Sequence, residues 1–163
     1  MDTLMHTEVR ERKAPTLAGQ AASFFLHSLL ALASWAALML LGYAVNPVGI
    51  PQWVILLLSL AVPLAVGLIV ARIRPSEMAT AVWLVGLIWA MIVGIYVLDL
   101  PTGPDRCFQC TATEKLSRTF FSLPNPSGLI DDDGPFVGTW PAAALVGYSI
   151  GAWLAMRRRR VGP

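Results

Sequence analysis

The fold class this sequence predicts is all-α: an integral membrane four-helix bundle with both termini on one side, N-in/C-in. Two observations predict it, four long stretches nearly free of charge and a concentration of basic residues in alternate connecting segments. Composition supports both. The chain of 163 residues is 56% apolar and only 13% charged, about half the usual charged share, and a soluble domain of this size could not hide so much apolar surface. Its mean hydropathy is +0.63. A formal net charge of +2 gives no basis for nucleic-acid binding.

A helix rises about 1.5 Å per residue, so roughly 20 apolar residues cross a hydrocarbon core. Residues 17–45, 53–71, 79–98 and 137–156 meet that length, and the whole chain, 1–163, reads as a single membrane domain. The first stretch is interrupted only by Gln20, His27 and a few Ser. It exceeds one crossing and should tilt or extend past the lipid. Its length also exceeds the apolar region of a signal peptide, usually about 7–15 residues, so it reads as a retained helix. In the second stretch, Pro63 sits mid-span and is expected to kink the helix. Pro51 and Pro141 fall in first turns, where a missing N–H costs little. Trp53, Trp140, Tyr43 and Tyr96 suit the interfacial zone.

Charge placement predicts the orientation. Arg10, Arg12, Lys13, Arg72, Arg74, Arg157, Arg158, Arg159 and Arg160 fall on one side, nine of the twelve basic residues in the chain. The other side has only Arg106, Lys115 and Arg118, with six of the ten acidic residues. Cytoplasmic segments keep Lys and Arg, so both termini are expected in the cytoplasm of a plasma (inner) membrane protein. Anionic lipid headgroups would be drawn to that basic face.

Within the spans, small residues mark packing faces. Ala143, Gly147, Gly151 and Ala155 recur every four residues and include a GxxxG match, which lets helices approach closely. A sibling helix of the same chain is the favoured neighbour, a partner subunit the alternative. Gly86 and Gly94 are spaced to serve the third span in the same way.

Ionisable groups in a membrane are functional candidates by default. His27 alone lies well inside a span. A hydrogen bond to a neighbouring helix, through Ser28, Ser34 or a backbone carbonyl, is its leading reading; haem ligation or contact with a quinone headgroup is the alternative. No span carries Asp, Glu, Lys or Arg, which argues against a transport path through this chain.

The expected outer loop, residues 99–136, holds the two cysteines. Cys107 and Cys110 form C-F-Q-C in a compartment expected to be oxidising, and a structural disulfide is the first reading. No His follows Cys110 to make a c-type haem attachment pattern, and no second pair completes a four-sulfur zinc site, so no metal is predicted. Thr111 and Glu114 fit a capping box, with Leu116, Phe120 and Phe121 giving a short helix an apolar face. Cys110 would then lie near the positive end of a helix dipole, which favours a thiolate and keeps a redox-active pair open. In outline, four spans with an external CxxC resemble the quinone-linked membrane oxidoreductases of the vitamin K epoxide reductase type. Those proteins relay electrons between two cysteine pairs, whereas this chain has one. Further along, Asp131, Asp132 and Asp133 read as a solvated acidic turn, since their spacing matches no EF-hand.

These observations lead to a small polytopic protein acting as an accessory or assembly subunit of a larger membrane complex, for example an energy-transducing one, with the bilayer and other membrane subunits or itself as partners. No cofactor is predicted for that role. A membrane thiol-disulfide oxidoreductase or relay using Cys107 and Cys110 is the alternative.

Overall fold

The computed structural model describes residues 16–45, 52–99, 109–121 and 139–161. These residues form five α-helices and one short 3-10 turn, with no strand among them. Helix α1 covers Leu17–Val45, α2 Gln52–Ile73, α3 Trp83–Asp99, α4 Ala112–Phe121 and α5 Thr139–Val161. The 3-10 turn, Glu77–Ala81, leads into α3.

Among the described residues, three segments are long and apolar enough to cross a membrane: Leu17–Leu41, Trp53–Ile73 and Glu77–Asp99. Helix α5, which holds residues 139–156 of the expected fourth span, is also 23 residues long but falls outside that set, and residues 137 and 138 lie outside the described residues. The reason is visible in its composition and position. Its Gly, Ala, Ser and Tyr residues face protein, and four Arg close its C-terminal turn.

Helix α5 is the hub. It touches α1, α2, α3, α4 and the 3-10 turn, and its contact with α2 is the most extensive among the described elements. Trp140, Ala144, Leu145, Tyr148, Ala152 and Ala155 are buried along it, leaving Val146, Ile150 and Trp153 as an exposed strip. On α1 and α3, by contrast, large apolar side chains such as Leu26, Leu29, Leu87, Ile88 and Ile95 are exposed, the arrangement expected of surfaces that face hydrocarbon.

The hub depends on glycine. A Cβ added at Gly147 would fall on the carbonyl oxygen of Leu60, 3.1 Å from its carbon. One added at Gly151 would fall on the carbonyl oxygen of Leu64 and 2.9 Å from the nitrogen of Leu68. From the facing side, a Cβ at Gly67 would fall on the carbonyl oxygen of Tyr148. Backbone therefore meets backbone on both helices, and the small residues act through van der Waals contact and close approach. Of the other two members of the stripe, Ala155 is buried and Ala143 half-buried. Helix α2 runs unbroken through Pro63, which is itself buried.

These contacts also set directions. Gly147 meets Leu60 and Gly151 meets Leu64, so α2 and α5 run the same way. Helix α1 runs against them: Met39, late in α1, clusters with Ile55 and Trp140, early in α2 and α5. At its other end, Ser23 shares a 2.8 Å hydrogen bond with Ser76, just past α2. Helix α3 also opposes α5, because the Trp83 amide reaches Ser149 while Gly86 packs on Ala142 and Leu145. The start of α1, the end of α2 and the end of α5 thus share one end of the molecule.

The expected third span begins differently from a continuous helix starting at Ala79. Residues Glu77–Ala81 form the 3-10 turn, and α-helix starts only at Trp83. A buried helix start must find acceptors for its first amides. Ser149 supplies one, taking a 2.7 Å bond from the Trp83 N–H.

Replacing Gly147 or Gly151 by Ala should each cost about 1–3 kcal/mol, because a backbone neighbour cannot rotate out of the way. Gly94→Ala should be neutral, since a Cβ there would meet Leu116 at an ordinary 3.7 Å. Unfolding of the three variants in bicelles checks this; a Gly151→Leu variant of undiminished stability would contradict the contact.

Candidate functional site

The described polar groups gather where α1, the 3-10 turn and α3 meet α5. His27 is brought there by α1 and Tyr148 by the buried face of α5, and both are buried. The His27 Nδ1 and the Tyr148 hydroxyl are 2.7 Å apart. Their rings stand 5.9 Å apart at 52°. A phenol and an imidazole satisfy each other here without carrying net charge into a low-dielectric region, where an unpaired polar group costs several kcal/mol.

The expected partner was a serine or a carbonyl of a neighbouring helix, and the structure replaces it with Tyr148. Ser28 instead donates to the Phe24 carbonyl at 2.9 Å, and Ser34 to the Ala31 carbonyl at 2.7 Å. Serines within a helix bond back to their own turn readily, which removes them as partners for anything across the interface. With Nδ1 engaged, Nε2 is the remaining imidazole nitrogen for a haem or a quinone.

The next residue on α5, Ser149, ties that helix to the start of α3. Its oxygen accepts from the Trp83 amide and its hydroxyl donates to the Leu145 carbonyl at 3.1 Å. Ser59, fully buried on α2, is different. Its hydroxyl has no hydrogen-bond partner, and Pro63, lacking an N–H, leaves the Ser59 carbonyl without its usual helical donor.

At the far end of the molecule, α4 packs on α3 and α5. Leu116 and Phe120 lie against Gly94, and Thr139 at the start of α5 donates to the Phe120 carbonyl. The N-terminus of α4 is capped reciprocally. The Thr111 amide donates to the Glu114 carboxylate at 2.8 Å, while the Glu114 amide donates to the Thr111 hydroxyl at 3.3 Å. The bond from the Thr111 amide, then that from its hydroxyl, with a smaller contribution from Arg118, holds the Glu114 carboxyl below its ordinary range against the opposing effect of desolvation.

Cys110 stands immediately before this cap and is disulfide-bonded. Cys107 lies outside the described residues, as do Asp131, Asp132 and Asp133. Among the described residues no group of three or more His, Cys, Asp or Glu is placed to hold a metal ion.

Tyr148, Ser149 and Trp83 were not singled out by the sequence. The available signal was chemical: a histidine in a span needs a partner, and Tyr148 is a phenol on the small-residue span most suited to approach it. No family model matches the chain, and neither a curated protein nor a solved structure matches it.

Two outcomes test this geometry. In a double-mutant cycle, Tyr148→Phe and His27→Leu should couple by about 0.6 kcal/mol, and by up to ~1.7 kcal/mol if the site is dry; additive unfolding energies would deny the bond. Because the folded Glu114 carboxyl titrates below its unfolded value, the cap is fully present above the unfolded pKa and is lost as pH falls through the folded one. Exchange protection of the Thr111 amide should therefore persist through the ordinary Glu range and fall below it, and Glu114→Gln should abolish that pH dependence.

Proposed function

We propose that this is a four-span protein of the plasma (inner) membrane, with both termini in the cytoplasm, which serves as an accessory or assembly subunit of a larger membrane complex. The observation that carries the reading is that polar groups of different elements are matched to one another at three places. His27 is matched by Tyr148, Ser23 by Ser76, and Ser149 by the Trp83 amide. This is chemistry that fastens helices together.

The fourth span is α5. Support comes from direction: α2 and α5 run the same way while α1 and α3 run against them. If α1, α2 and α3 cross in turn, a helix parallel to α2 and packed along it crosses too. A hub wrapped by other helices needs less apolarity than one facing lipid, which accounts for its composition. The described basic residues Arg72, Arg74, Arg157 and Arg158 then share an end with the start of α1, in line with positive-inside placement.

Partners would meet the exposed flanks. Helix α1 is 29 residues long, about 43 Å at the standard rise, and much of its length is exposed. At the opposite end from those arginines, Phe121 on α4 is 71% exposed, and an aromatic ring there gains by being covered.

A second reading has one observation in its favour. Cys110 sits just outside the N-cap of α4, where the helix dipole would stabilise a thiolate. Under that reading Cys107 and Cys110 would cycle between dithiol and disulfide, with a quinone as electron acceptor.

Purification from the source membrane in a gentle detergent, followed by native mass spectrometry, separates the two. A stoichiometric membrane-protein partner is expected; a quinone-linked thiol activity with no partner would favour the second reading. Reporters should place a fusion after Pro163 in the cytoplasm and an insertion near Asn125 outside it, and the reverse result would overturn the orientation. Thiol labelling without reductant should detect neither cysteine, whereas a mixed disulfide trapped by a single Cys107→Ser or Cys110→Ser variant would establish thiol exchange.

A further inference from the structure

The 3-10 turn is narrow and carries small side chains at Ala79, Thr80 and Ala81. It therefore leaves space beside the exposed strip of α5. A groove of about 230 Å³ opens there, lined by Thr80, Trp83, Val146, Ser149, Ile150 and Trp153. Two indoles flank it, and Val146 and Ile150 form its apolar wall.

The two hydroxyls of this lining are already committed within the protein. Thr80 donates its hydroxyl to the Glu77 carbonyl at 2.7 Å. Ser149 accepts from the Trp83 amide and donates to the Leu145 carbonyl. An occupant of the groove thus meets hydrocarbon and aromatic surface, which suits an acyl chain.

Charge stands at one end. Arg157 lies one helical turn beyond Trp153, and its guanidinium sits 5.3 Å from the centre of that indole. Arg157 and Arg158 are both exposed. The stacked arginine is held in place on a rigid ring, with its outward N–H groups available to an anion. Apolar groove and fixed cation together match a single amphiphile.

We propose that this groove is a binding site for one anionic phospholipid, its acyl chain lying between Trp83 and Trp153 and its phosphate paired with Arg157. The site rests on α5 crossing the membrane, so that Arg157 lies at headgroup level and Ile150 within the hydrocarbon; the topology reporters described above test that premise separately. A site of this kind differs from general attraction to a basic tail, because it requires both the groove and one particular arginine.

The test uses the full-length protein in micelles doped with phosphatidylglycerol or phosphatidylcholine, with bound lipid counted by native mass spectrometry. The wild type should retain one phosphatidylglycerol in preference to phosphatidylcholine. Arg157→Gln should bind it about fivefold more weakly, the effect of removing one basic residue at an anionic headgroup. Ile150→Trp, which fills the groove from an exposed position, should also lose the lipid while keeping the wild-type melting temperature. A variant with Arg158, Arg159 and Arg160 all changed to Gln should retain it. Equal retention of the two lipids, or a triple variant that loses the lipid when Arg157→Gln does not, would overturn the proposal. So would a photo-crosslinker at position 150 that captures another membrane protein in native membranes.

Discussion

Backbone contact between α2 and α5 is the constraint on which the rest of the molecule depends. In lipid there is no hydrophobic force to press helices together, since their surroundings are as apolar as their side chains. Close approach must then come from surfaces that fit, and here Gly67, Gly147 and Gly151 remove the side chains that would hold the helices apart. Once α5 is seated on α2, its remaining faces are committed. Tyr148 meets α1 through His27, and Ser149 meets the start of α3 through the Trp83 amide. The exposed strip of Val146, Ile150 and Trp153 is what remains for lipid.

That arrangement explains an apparent inconsistency in composition. The helices with the most continuous apolar sequence, α1 to α3, lie around a less apolar one, α5, and many of their large side chains point outward. A hub helix can use Gly, Ala, Ser and Tyr because protein atoms, not acyl chains, cover it. Tyr148, Ser149 and Thr139 are placed where another helix supplies a complementary atom, which makes such groups tolerable in a buried position.

The sequence made some of this legible and not the rest, for physical reasons. Apolar runs of spanning length are a local property, and residues 17–45, 53–71 and 79–98 fall on the three segments apolar enough to cross a membrane. The small-residue stripe of Ala143, Gly147, Gly151 and Ala155 is local too, but a stripe names a face and not its neighbour. That Gly151 meets Leu64, or that His27 meets Tyr148 across 121 positions, is a property of the folded arrangement. The expected third span, 79–98, lies within the spanning segment Glu77–Asp99, but the form of its first turn was not legible, for the same reason. An α-helix beginning at Ala79 fits the pattern, yet the observed start at Trp83 uses an acceptor on α5 that no local pattern reveals. The Thr111 and Glu114 cap, by contrast, was readable because both partners lie within one turn.

The central claim is that α5 lies in the membrane as a hub, with one strip facing lipid and the rest facing protein. Spin labels placed singly along residues 142–156, read for accessibility to oxygen and to a water-soluble relaxing agent, test it most directly. The account predicts a helical period, with labels at Val146, Ile150 and Trp153 accessible to oxygen and not to the aqueous agent. Labels at Ala144, Tyr148 and Ala152 should be shielded from both. Aqueous access at positions 146 and 150, or accessibility that is uniform along the helix, would contradict it.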